Sequence, residues 1–172
     1  LRLYQAVREA VPVVDAAVCK LIRLSGGVKV LCDDLETQTA LRTFLERVNA
    51  GRGQHGIEAF LSQYLDSLLV YGGAVGEMVP AAGNRTLAAL LCGRLEQVEL
   101  REGESPLDFR ICGPDEHGSM AELPYQELLL FTPLHPEAAH PYGVSMLRGI
   151  PFMADILMKI YHTIGVNWER CG

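Results

Sequence analysis

The sequence predicts an α+β fold, and three observations predict it. Apolar residues recur at helical spacing up to Tyr71, the period shortens to strand-like alternation after Gly72-Gly73, and a long helical run returns from Ile150 to Arg170. Helices followed by strands, instead of the two alternating, point away from βαβ units. At 172 residues the chain is long enough for one ordinary core with a satellite element. A hydrophobic content of 49% with 21% charged residues excludes disorder.

Leu3, Val7, Val11, Val14, Val18 and Leu21 trace one stripe through the opening segment. Pro12 divides it, because proline suits a first helical turn and disrupts an interior one. Gly26-Gly27 ends it, and Val28–Cys32 has the composition of a short strand. Asp33 and Asp34 stand at an N-cap, and Leu41, Phe44, Leu45 and Val48 then repeat at helical spacing. The glycine-rich turn 51–56 leads to a second stripe, Ile57, Phe60, Leu61, Tyr64, Leu65 and Leu68, stopped at Gly72-Gly73. Residues 35–71 therefore read as an antiparallel helical pair.

A mainly antiparallel sheet follows over 74–132. Its strands are Val75–Val79, Leu87–Cys92, the alternating stretches around Val98–Leu100 and Leu107–Cys112 joined by a turn at 103–106, and Leu128–Phe131. The unbroken apolar run at 128–131 suits a strand buried on both faces. In the closing helix, Ile150, Met153, Leu157, Ile160 and Ile164 form one apolar line, and Phe152, Ile156 and Tyr161 form a second beside it. Asp155, Lys159, His162 and Glu169 lie on the opposite side, interrupted by Val166. Such a helix wants neighbours on two faces, so the chain reads as a fragment of a larger assembly. Leu1 in place of Met suggests the same.

Gly51-Arg52-Gly53-Gln54-His55-Gly56 matches G-x-G-x-x-G by letter. The dinucleotide motif needs a preceding strand to aim its glycines at phosphate, whereas a helix precedes this one. It reads as a connector. Gly143-Val144-Ser145 begins like a nucleophile elbow, but Leu147 takes the place of the last glycine, and Ser145 reads as an N-cap. His135-Pro136 and His140-Pro141 cannot share a helical face, which leaves a rigid surface loop. No catalytic, metal or cofactor constellation can be assembled. The five cysteines form no CxxC pair, as in a reducing compartment, and no run is long enough for a membrane helix. The net charge of −6 is uneven: residues 94–122 hold eight acids against three arginines. That argues against clamping nucleic acid through phosphate contacts.

Four segments, in order, carry a resemblance: Val11–Ala17; Ala59–Leu61 through Leu69-Val70-Tyr71-Gly72-Gly73-Ala74; Leu123-Pro124-Tyr125 with the strand after it; and Pro141-Tyr142-Gly143-Val144-Ser145-Met146-Leu147-Arg148-Gly149 with its long helix. Together they cover nearly the whole chain, which resembles the N-terminal portion of tailed-bacteriophage portal proteins, the head–tail connectors. The resemblance implies a wing over 1–145 and the start of a stem helix over 146–172, cut before the clip. It implies a structural subunit of a dodecameric ring, not an enzyme, in the virion and in the host bacterial cytoplasm during assembly. Double-stranded DNA would pass through without sequence-specific binding. The terminase motor and the capsid and head-completion proteins would be partners, with no cofactor and no membrane. On this reading Ile150, Met153, Ile156, Leu157, Ile160 and Ile164 pack between subunits, and Asp155, Lys159, His162 and Glu169 face the channel. The rivals are an α+β enzyme domain using the glycine loop, and a helical interaction module of a cellular complex.

Overall fold

The computed structural model describes residues 2–25, 27–83, 86–105 and 108–171. Gly26, Pro106, Leu107 and Gly172, which some expectations above use, lie outside the described residues. The fold is α+β, as the change of period predicts.

Helices α1 (Arg2–Ala10) and α2 (Pro12–Ser25) meet at the buried Val11, with Pro12 opening α2 where its missing N–H costs no hydrogen bond. Val7, Val11 and Val18 of the expected stripe are buried. A single cation binds this corner to the next layer. The Arg8 Nε donates to Asp15 at 2.8 Å, and its Nη1 donates to both carboxylate oxygens of Asp66 at 2.8 and 3.0 Å. Burial works against the charge, yet the two carboxylates outweigh it and hold the guanidinium pKa above its usual value.

The expected strand at Val28–Cys32 is absent. A strand needs a neighbour to take its backbone groups, and among the described residues 27–32 join no ladder. The Gln38 side chain takes two of those groups instead: Cys32 N donates to its Oε1, and its Nε2 donates to Val30 O at 3.0 Å. Helix α3 (Leu35–Arg47) starts as expected on Asp34, whose carboxylate accepts from Thr37 N at 2.7 Å. None of its residues is buried, so its partnership with α4 (Ile57–Tyr71) is loose.

The connector between these helices is itself structured, which corrects the reading of 51–56 as a plain loop. Strands β1 (Asn49–Gly51) and β2 (Gln54–His55) form a hairpin around Arg52-Gly53, and β1 lies parallel to β4 with Asn49 beside Ala89. Gly53 has φ of +72°, the left-handed conformation that such a tight turn demands. Strands of three and two residues are too short to show an alternation, so the sequence hid them.

Gly72, with φ +85°, ends α4 in the left-handed conformation, and its N–H donates to Leu68 O. The chain then enters the central strand β3 (Gly73–Pro80). With β4 (Leu87–Gly93) and β8 (Leu129–Pro133) the first sheet runs β2-β1-β4-β3-β8, antiparallel except for β1–β4. Phe60 of α4 packs with Val48, Ala50 and Leu90 to form one core cluster. A second sheet, β5 (Glu99–Glu102), β6 (Phe109–Pro114) and β7 (Met120–Glu122), is fully antiparallel, and β5–β6 is the expected hairpin. Phe109 meets Phe131 edge-on at 5.6 Å and joins the two sheets.

The run 128–131 is not a strand buried on both faces. Leu128 closes a 3₁₀ turn (Gln126–Leu128), and β8 is an edge strand whose Leu130 is 38% exposed. An apolar run fits an edge as well as a centre when a second sheet covers part of one face. Pro133, having no N–H, blunts that edge.

Candidate functional site

The candidate site is the element that the sequence left without neighbours, helix α5 (Ile150–Cys171), together with the knot that roots it. At the root, three stretches far apart in sequence meet at the end of α4. Leu134 N donates to Gly72 O at 2.8 Å, Val144 N donates to Leu134 O at 2.7 Å, and Met146 N donates to Leu69 O at 3.1 Å. The approach is too close for side chains at two glycines. A Cβ on Gly143 would stand 1.9 Å from Gly72 O, and one on Gly72 would stand 2.5 Å from Ser145 N. Gly143 also has φ +103°, which L side chains rarely adopt.

Ser145 is buried at the centre of this knot. Its hydroxyl donates to Val70 O at 2.5 Å and accepts from Leu147 N at 2.9 Å, so its polar atom is satisfied without water. The expected cap is thus there, but over a non-helical turn at 146–149, since α5 starts only at Ile150. Leu147 packs with Val18 and Val70, and Ile150 leans on the same cluster. Beside the knot, Glu137 and His140 exchange two backbone hydrogen bonds, and Glu137 binds Arg148 at 3.0 Å. The His135–Pro141 stretch is therefore a braced surface loop, as its prolines suggest. The sequence flags Gly143 as a tight turn. It carries no sign of the partner at Gly72, because nothing local records a contact across some seventy residues.

The helix meets α1, but beyond Ile150 it is only lightly covered. None of its residues is buried; Leu157 is half-buried, and Met153, Ile156, Ile160 and Ile164 are exposed, as are Phe152, Tyr161 and Trp168. At 3.6 residues per turn these side chains share an arc of about half the helix circumference. Asp155, Lys159, His162 and Glu169 fall within the other half and are exposed. Lys159 Nζ donates to Asp155 Oδ2 at 2.6 Å, the helical pair expected from their spacing. Of the residues expected between subunits, only Ile150 is drawn into a core cluster of this chain.

The glycine motif ends at the start of α4, but β2 comes between its turn and that helix, so the Arg52-Gly53 amides do not open a helix N-terminus. All five cysteines are free thiols. Among the described residues, no group of three or more His, Cys, Asp or Glu could hold a metal ion, and no helix is long and apolar enough to cross a membrane. No protein-family model matches this chain, and no curated protein matches it.

Proposed function

We propose that this chain is the wing and first stem helix of a portal subunit, the structural protein that forms a ring at one vertex of a tailed-bacteriophage capsid. The observation that carries the reading is α5: a 22-residue helix, firmly rooted, with an apolar half-circumference and no buried residue. A monomer leaves most of that surface in water. A ring of copies would bury it, with Ile150, Met153, Ile156, Leu157, Ile160 and Ile164 between neighbours. Asp155, Lys159, His162 and Glu169 then face the channel. A further support is that the segments carrying the portal resemblance, 69–74 and 141–149, are the ones that the knot joins.

On this reading the ring is dodecameric and its work is geometric, with no bond made or broken. Double-stranded DNA passes through during packaging and ejection. A protein of net charge −6 suits a conduit, because like charge keeps the polymer from settling in a deep well. The terminase motor docks during packaging, capsid and head-completion proteins dock around it, and the protein moves from the host bacterial cytoplasm into the virion.

Mass measurement of the full-length protein in solution tests this. The expected species is a closed ring, and Leu157→Glu with Ile164→Glu should abolish it while the wing stays folded. A stable dimer with no larger ring would sink the assignment.

A further inference from the structure

The first sheet divides the subunit into two sides. On one face lies α4: a Cβ on Gly76 of β3 would stand 3.1 Å from the Phe60 ring and 3.2 Å from the Tyr64 ring, and the Tyr64 hydroxyl meets Thr132 Oγ1 of β8 at 2.8 Å. Side chains alternate along a strand, so Val75 and its cross-strand partner Phe131 point to the other face. There Phe131 meets Phe109 of β6, which puts the second sheet on the side away from α4. Helices α1 and α2 hold to α4, through Val18 against Val70 and Arg8 against Asp66. The α1–α2 pair and the second sheet therefore stand on opposite sides of the first sheet.

These two sides carry opposite charge. Residues 2–25 hold four bases against two acids, whereas residues 99–122 hold seven acids against two arginines. Both of those arginines are engaged: Arg101 pairs with Glu99, and Arg110 with Asp108 and Glu122. Three exposed cations on the helices, Arg2, Lys20 and Arg23, have no ion pair or hydrogen bond among the described residues. The same holds for three exposed carboxylates at the ends of the second sheet's strands, Glu102, Glu104 and Glu116. Beside Lys20 and Arg23, Leu24 is 72% exposed, so this part of α2 is uncovered within the subunit.

A ring closes through unlike surfaces on the two sides of one subunit, whereas a two-fold contact sets a surface against itself. Through either of these layers a two-fold contact would oppose like charges, and only a head-to-tail contact brings unlike ones together. We propose that the α1–α2 face of one copy lies against the second sheet of the next, its unpaired cations opposite the unpaired carboxylates. The screening length at physiological salt is about 8 Å, so the attraction acts once the two faces are close and orients them as they meet. The contact rests on the ring reading above and gives the ring its direction.

The test is a charge exchange in the full-length protein, read as the concentration at which rings form. One variant carries Arg2→Glu, Lys20→Glu and Arg23→Glu; the other carries Glu102→Lys, Glu104→Lys and Glu116→Lys. Each should raise that concentration at least ~10-fold. An equimolar mixture should restore assembly, because in an alternating ring every helical face then meets a sheet of opposite charge. The exchanged groups are exposed and unpaired, so both variants should keep the natural circular dichroism, and rescue shows independently that both fold. If either variant assembles like the natural protein, or the folded variants are not rescued by mixing, this contact is wrong and the ring reading stands. Cations that served nucleic acid instead of a second copy would give that unrescued result. A natural protein that forms no ring overturns both.

Discussion

At the root of α5, Val70, Ser145 and Leu147 are buried and three chain segments exchange hydrogen bonds; along the shaft, from Phe152 to Trp168, no side chain is buried. The two regions adjoin in sequence, yet they solve opposite problems. The root must fix a direction, so it uses backbone contacts that only glycine admits and a buried hydroxyl with both partners present. The shaft leaves unused the burial of several large apolar side chains, each worth about 1.5–3 kcal/mol when fully removed from water. A helix whose orientation is fixed by its own chain and whose surface is left for others is suited to repeated copies.

The largest effect that would sharpen this contrast is expected at the root. Gly143→Ala places a methyl group against Gly72 O at a backbone angle that alanine resists. Relief requires moving the backbone of the knot, so the loss should reach at least about 3 kcal/mol in chemical denaturation. A variant within 1 kcal/mol of the natural chain, roughly the scale of an ordinary substitution, would show that the knot is slack.

A smaller change in stability, but a large one in surface behaviour, is expected on the shaft. Ile160→Glu with Ile164→Glu should alter the stability of this chain by no more than about 0.5 kcal/mol per site, because neither side chain is buried. Binding of a dye that reports exposed apolar surface should fall markedly in the same variant. A loss of several kcal/mol would mean that the shaft folds back on the body, and the contrast would fail.

The smallest effect concerns α3, the other helix with no buried residue. Hydrogen bonds donated by Thr37, from its side chain first and then from its backbone N–H, hold the Asp34 carboxyl below its usual pKa. A carboxyl lowered on folding stabilises the fold above its unfolded value, near 3.9, and that contribution is lost as the pH falls through the folded value. Amide exchange in α3 should therefore speed up as acid protonates Asp34. The Asp34→Asn variant should lose this dependence while keeping a cap. An unchanged acid profile in that variant would refute the cap's role.

The legible parts of this fold were those encoded locally. Pro12 split the first stripe, Asp34 opened α3, Gly72 closed α4, and alternation marked β6. The failures share one cause. Val28–Cys32 has a strand's composition but no ladder, and 128–131 has a buried strand's composition but lies at an edge. Both depend on which neighbour is present. The β1–β2 hairpin was too short to show a period. Within the candidate site, the two-sided apolar pattern of α5 could be read directly. The ties at Gly72, Leu134 and Ser145 could not.

By itself the sequence determined the class of the fold, the limits of most helices and the excess apolar surface of α5, because propensity, capping and periodicity act over a few residues. Tertiary structure alone decided the strand order β2-β1-β4-β3-β8, the parallel pairing of β1 with β4, and the knot that aims α5. Those depend on pairings between residues far apart in the chain. Each becomes favourable only once the rest of the fold has brought its partner within a few ångströms.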